Sequence, residues 1–418
     1  MEYIKSKDIF LLMRDVLKLI HPRPMEHGSR VAYIVYMMLK DEGKYEEFEL
    51  ADIVMTAALH DIGAYRTERG KINDMLRYES RESMAHCIYG YLFFKYLSPV
   101  PDLAKVIMYH HMDYEQLQKV DYEYKEIAAY VNIAEKMDIY FSSMGSQFDM
   151  HMFQKQAGTK LSSEGLLQFY QCQERYDVFG KLSSGEYKKE LDDIVEYMIF
   201  SNEDKKKFLE MLMYCFGFRS KRMVVDNITT ICVCEDIAEE MMMPPIEKEL
   251  LYYGTLVHDI GMLAIPQEIV DAPRKLEKEE IRLLRTHVEV AGKILGHRMK
   301  SEVVSIALAH HERGDGSGYP LRLKDMQMNS PQRILQVADV VTALVNKRSY
   351  RDDLPKEKVI SILSEEAAKN RLKRQVVVTF VKSYDRIMKH VRQESAEILK
   401  MYETINRQYE LISTKYKI

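Results

Sequence analysis

The tetrapeptide HDIG occurs twice in this 418-residue chain, at His60–Gly63 and His258–Gly261, each time closing an apolar run, VMTAALHDIG and YYGTLVHDIG. The first copy is followed by His86 and the doublet His110-His111, and the second by His287 and the doublet His310-His311. The offsets between these landmarks are 198, 201 and 200 residues, so the chain reads as a duplication of one structural unit. With His27, upstream of the first HDIG, this scheme takes up nine of the 13 histidines. At roughly 100 to 200 residues per domain, the length also suits two units better than one.

Apolar residues recur at three- and four-residue steps, as in Val31, Ile34, Val35, Met38 and Leu39, while period-two alternation is scarce. The expected fold class is therefore all-α. Pro and Gly clusters at HPRP (21–24), SPVP (98–101), MPP (243–245) and GDGSGYP (314–320) break the helices. The expected organisation is an N-terminal domain over 1–148, a polar helical connector over 149–207, a second domain over 208–384 and a long C-terminal helix over 385–418. In that helix Ile387, Val391, Ile398, Met401, Ile405, Tyr409 and Ile412 form a stripe, expected to dock on the chain itself, with homodimer pairing as the alternative.

Charge and cysteine content exclude several functions. A net charge of -4 gives no electrostatic reason to bind polymeric nucleic acid or an acidic membrane. The five cysteines form no CxxC pair, which fits free thiols in a reducing compartment and excludes a zinc ribbon. Asp8, Arg14 and Asp15 interrupt any signal-peptide core, and no run reaches the roughly 18 apolar residues a membrane span needs. A cytoplasmic location is expected.

Imidazoles and carboxylates, with no thiolate among them, suit first-row divalent ions: iron, manganese, nickel, cobalt or zinc. Adjacent His and Asp residues on a helix project about 100° apart, so the carboxylate can bridge two ions while the imidazole holds one. Two metals roughly 3.5 to 4 Å apart acidify a bridging water and clamp both oxygens of a phosphoryl transfer, which makes phosphoester hydrolysis the expected chemistry. His21, His151, His297 and His390 lie outside the repeat and are read as surface or core residues.

The first copy, with EHGSRVA around His27, HDIG, HCIYG from His86 and HHMD at 110–113, resembles the HD phosphohydrolase superfamily. The resemblance implies His27, His60, Asp61, His86, His110 and His111 as metal ligands, with Asp61 catalytic. The last ligand, usually an Asp, falls on Glu135 in NIAEKMD. The second copy resembles the HD-GYP subfamily of cyclic dinucleotide phosphodiesterases, through HHERGDGSGYP at 310–320 and SPQRILQVADVVTAL with RSYR within 330–351. That likeness implies metal ligation by His258, Asp259, His287, His310, His311 and Asp339, with Asp259 catalytic. It also implies a dinucleotide loop of Gly318, Tyr319 and Pro320, with Arg313 an added candidate for bidentate phosphate contact.

Two departures stand out. Where the first copy has His27, the second offers Asp226 or Asn227, and Asp226 is expected to serve as the ligand. The Lys that normally follows HDIG is replaced by Ala64 and Met262, and losing a cation near developing phosphoryl charge costs on the order of a hundredfold. The expected function is metal-dependent hydrolysis of a cyclic dinucleotide, cyclic di-GMP first, at the second site, with two divalent ions per domain, iron or manganese favoured. The first site is expected to act on another small phosphoester. A catalytically weak nucleotide sensor is the rival; a nucleoside phosphate or guanosine tetraphosphate hydrolase rests on superfamily analogy alone.

Overall fold

The computed structural model describes residues 2–20, 22–40, 42–67, 84–217, 220–347 and 353–416. Among these are 21 α-helices joined by turns and short 3-10 segments, with isolated bridges such as Ile4–Met299 and no β-strand. The all-α class read from the apolar spacing is what the chain adopts. His21 and the RSYR segment at 348–351 lie outside the described residues.

Two compact units form: Ile9–Met211 with Glu403–Ile418, and Met1–Asp8 with Leu212–Tyr402. Five helices build the site region of the first: α1 (Pro22–Leu39), α2 (Glu47–Ala58), α3 (Met84–Leu97), α4 (Ala104–Tyr109) and α5 (Lys125–Met144). Val31, Ile34, Val35 and Met38 of α1 are fully buried, as their spacing requires. A capping box of Glu46 and Glu49 starts α2, and the Leu59 N–H closes it on Met55 O and Thr56 O. Residues 163–196 add three further helices, which bury Phe169, Val178, Leu191 and Val195 in the same unit.

The second unit repeats the five-helix order with α6 (Lys221–Glu240), α7 (Pro245–Val257), α8 (Lys278–Leu295), α9 (Ser301–Leu308) and α10 (Ser330–Val345). Pro245 starts α7, Glu277 and Glu280 cap α8, and Asn329 with Gln332 caps α10. The C-terminal helix α11 (Tyr384–Tyr416) buries Ile387, Val391, Ile398 and Ile405 within the chain. Burial of such side chains contributes about 1.5 to 3 kcal/mol each relative to exposure. Polar contacts fix the register of α11: Arg386 and His390 reach Asp236, and Tyr402 OH donates to Tyr214 O. Among the described helices, none is long and apolar enough to cross a membrane.

Two candidate metal centres

Both HDIG turns leave the end of a helix and press against the next long helix of their unit. A Cβ on Gly63 would lie 2.0 Å from His86 O, and one on Gly261 would lie 1.9 Å from His287 O. Only glycine allows this approach, which brings each His-Asp pair up to the third histidine.

In the first centre, His60 Nδ1 lies 2.7 Å from Ala57 O and His110 Nδ1 lies 2.6 Å from Ile107 O. A carbonyl only accepts, so Nδ1 carries the proton and Nε2 presents a lone pair to the cluster. His27 Nδ1 bonds Asp138 Oδ2 at 2.7 Å, and Arg30 also donates to that carboxylate. Asp61 Oδ1 lies 3.2 Å from His86 Nε2, and Glu135 Oε2 lies 3.3 Å from His111 Nδ1. Donor atoms of His27, His60 and Asp61 converge within 4.8 Å, as do those of His60, His110 and Glu135.

The Nε2 atoms of His27, His60 and His111 are buried without a hydrogen-bond partner. Such groups are costly in a core unless an ion or another partner takes the lone pair, so the residues fit a divalent metal. Burial lowers the pKa of His60 to about 4 and pulls His86, His110 and His111 below the usual histidine range, so they are neutral and able to ligate at pH 7. Burial pushes Asp61 up, but the imidazoles of His60 and His86 outweigh it and keep the carboxylate ionised.

The second centre repeats the pattern. His258, His287 and His310 each place Nδ1 2.6 Å from the carbonyl three residues back, on Thr255, Leu284 and Ala307. The lone-pair-bearing Nε2 atoms of His287 and His310 consequently face each other at 3.2 Å, an arrangement that only a shared cation or proton makes favourable. Asp259 Oδ2 is 3.4 Å from His258 Nε2, and its Oδ1 is 3.5 Å from His287 Nε2. Asp339 Oδ2 lies 3.1 Å from His311 Nδ1. For Asp259, burial acts upward and His258, His287 and His310 act downward, leaving its pKa at about 2.

The place of His27 in the second copy is set by helix packing. The Arg30–Asp138 pair between α1 and α5 has its counterpart between α6 and α10 in the hydroxyl pair Thr230–Thr342 at 2.9 Å. Three residues before Arg30 is His27, and three before Thr230 is Asn227. Asn227 is buried, its Nδ2 donates to Leu256 O at 3.2 Å, and its Oδ1 has no hydrogen-bond partner. Asp226 lines a cavity beside the second centre but accepts from Asn346 Nδ2 at 2.8 Å and lies 3.6 Å from Arg222 Nε.

That cavity, about 520 Å³, opens on the second centre and is lined by Arg222, Arg274, Arg313 and Tyr319 beside the cluster. The Asp259 side chain is 34% exposed, against 9% for Asp61. The loop after the second doublet forms one wall. Glu312, fully buried, accepts from Leu321 N at 2.6 Å and Leu323 N at 2.8 Å, and Tyr319 N donates to His311 O. Gly318 packs so closely that a Cβ would meet Arg313 N at 2.4 Å. The Tyr319 ring lies 4.8 Å from that of His311 and under the Arg285 guanidinium, while Pro320 follows through a cis peptide. Arg313 Nη1 donates to Glu312 O. Asp138 and Glu312 were missed as functional residues in the sequence, although one stands three places after Glu135 on a helix and the other directly follows a histidine doublet.

Known proteins agree with this architecture. The HD domain family matches residues 25–141, and a second HD domain family matches residues 211–376. Across 91% of this chain and 92% of its own length, a 3'3'-cGAMP-specific phosphodiesterase 1 of Vibrio cholerae is 24% identical. A cyclic di-GMP phosphodiesterase of Thermotoga maritima is 34% identical over 38% of this chain and 44% of its own. The crystal structure of a cyclic GMP-AMP specific phosphodiesterase of V. cholerae superposes with a TM-score of 0.56 at 16% identity, covering 92% of this chain and 98% of that one, a likeness of fold. The chain belongs to the tandem HD-domain phosphohydrolases. It is a metal-dependent phosphohydrolase.

Proposed function

We propose that the chain hydrolyses a cyclic dinucleotide and that the reaction takes place at the second centre. The observation that carries this reading is the open cavity there, in which Asp259 meets solvent beside Tyr319 and several arginines. An aromatic wall can stack a base, and guanidinium groups can take phosphate oxygens. The V. cholerae relative that matches nearly end to end makes 3'3'-cyclic GMP-AMP the first substrate to test. Cyclic di-GMP, suggested by the HD-GYP signature and by the T. maritima relative, is the second.

In this reading His258, Asp259, His287, His310, His311 and Asp339 hold the ions, with Asn227 or Asp226 at the remaining position. His27, His60, Asp61, His86, His110, His111 and Glu135 hold those of the first centre. Iron or manganese bound at the second centre would supply Lewis-acid charge to the phosphoryl group and a more acidic water. The Asp259 carboxylate, ionised at neutral pH, accepts a hydrogen bond from the attacking water and orients it. Arg313 and Arg222 stand where they can neutralise the phosphate, replacing the Lys that Met262 displaces.

One observation favours a nucleotide-sensing role instead: the second centre has Asn227 where the first has an imidazole. The full-length protein, reconstituted anaerobically with iron or manganese, separates the two when assayed with 3'3'-cyclic GMP-AMP and cyclic di-GMP. Hydrolysis is expected, falling by about a hundred- to a thousandfold in Asp259→Asn and little changed in Asp61→Asn. Tight binding without turnover under any metal makes the protein a sensor. Loss of activity in Asp61→Asn alone places catalysis in the first centre.

A further inference from the structure

The first centre contains a donor that the second lacks. Cys87 follows His86 on α3 and is fully buried, with its Sγ 3.4 Å from His86 Nε2 and 3.9 Å from His110 Nε2. Together with His111, these donor atoms all lie within 4.8 Å of one another. A nitrogen at about 2.05 Å and a sulfur at about 2.3 Å from one tetrahedral ion stand about 3.6 Å apart, between the two observed distances. The His111 Nε2 atom, buried and without a hydrogen-bond partner, independently points to a ligand at this spot. At the matching place in the second unit, Val288 follows His287 and is equally buried, so an apolar side chain satisfies the packing. Sulfur is what the first centre adds.

We infer that Cys87 is a metal ligand, giving the first centre a mixed nitrogen–sulfur donor set beside His86, His110 and His111. As the ion binds, the S–H bond breaks heterolytically: the sulfur lone pair goes to the ion, the proton goes to solvent, and nothing is oxidised or reduced. Thiolate ligation selects zinc, cobalt or ferrous iron over magnesium and manganese at this centre, whatever ions the second centre takes. This inference does not depend on which phosphoester is hydrolysed.

Cobalt(II) is the probe. The apo form of the full-length protein, loaded anaerobically, should show an intense near-ultraviolet sulfur-to-cobalt band, part of its bound cobalt being lost in Asp61→Asn. Cys87→Val, which copies the second unit and so keeps the core filled, should lose that band while circular dichroism and the visible cobalt spectrum of the second centre persist. Cys87→Ser should lose it as well. A wild-type protein whose first centre is filled but shows no such band overturns the inference. So does a band that survives in Cys87→Val, because it then comes from another cysteine.

Discussion

Asp61 and Asp259 sit on the same turn, after the same apolar run, each pressed by a glycine against the backbone of the helix that carries the third histidine. Around them the two units diverge. The first centre has seven converging imidazole and carboxylate residues, an Arg30–Asp138 relay behind His27, and a carboxylate only 9% exposed. The second has Asn227 and a Thr230–Thr342 pair in the corresponding positions, yet its carboxylate is 34% exposed beside a large cavity. On the proposed reading, metal retention and substrate access would fall on different copies. A closed cluster with more converging donors would hold its ions more firmly, whereas an open one would admit a phosphoester at the expense of ligand count.

The largest expected effect tests the shared turn. Gly261→Ala forces a Cβ onto the His287 carbonyl and should destabilise the second unit by about 3 kcal/mol or more. Its centre should lose its metal while the first centre stays loaded, and Gly63→Ala should give the mirror result. Metal content by elemental analysis, read against thermal melts, checks this. Retention of full metal content in both variants would show that the turn moves freely and that the glycine is not needed.

A smaller effect, of about tenfold to a hundredfold in metal affinity, belongs to the position of His27. Asp138→Asn should weaken the first centre, since it removes the carboxylate that orients His27 Nδ1. Asn227→His should strengthen the second by restoring the imidazole. Competition against a chelator measures both. If Asn227→His changes nothing and Asp226→Ala empties the centre, Asp226 is the ligand and the helix register proposed for Asn227 is wrong.

The smallest effect concerns the fold around the first centre. Asp52 on α2 has its pKa raised to about 6, chiefly by burial and then by Asp204 and Glu49. The folded state therefore holds this proton more tightly than the unfolded chain, where an Asp titrates near 3.9. Its ionised form destabilises the unit fully above about pH 6, and the penalty fades as the pH falls towards the unfolded value. Asp52→Asn should raise the melting temperature by a few degrees at pH 8, with a gain that shrinks steadily towards pH 4.5. An equal gain at both pH values would mean that charge burial is not its cause.

What the sequence determined by itself was the duplicated helical plan and the histidines and carboxylates proposed as members of each cluster. Rare residues repeated in one order at a near-constant offset point to one shared geometry, and the glycine of HDIG, having no Cβ, is the residue that a close backbone approach calls for. The tertiary structure alone decided the rest. Asp226 and Asn227 differ by one residue, about 100° of helix rotation, and the packing of α6 on α10 is what supports the proposal that Asn227 stands in the place of His27. The depth of Asp61, the openness of Asp259 and the approach of Cys87 to His110 depend on how separate helices pack, and the grip of Glu312 depends on how the Tyr319 loop folds back on it. Solvent exposure and donor convergence are properties of such contacts, so local sequence pattern cannot encode them in readable form.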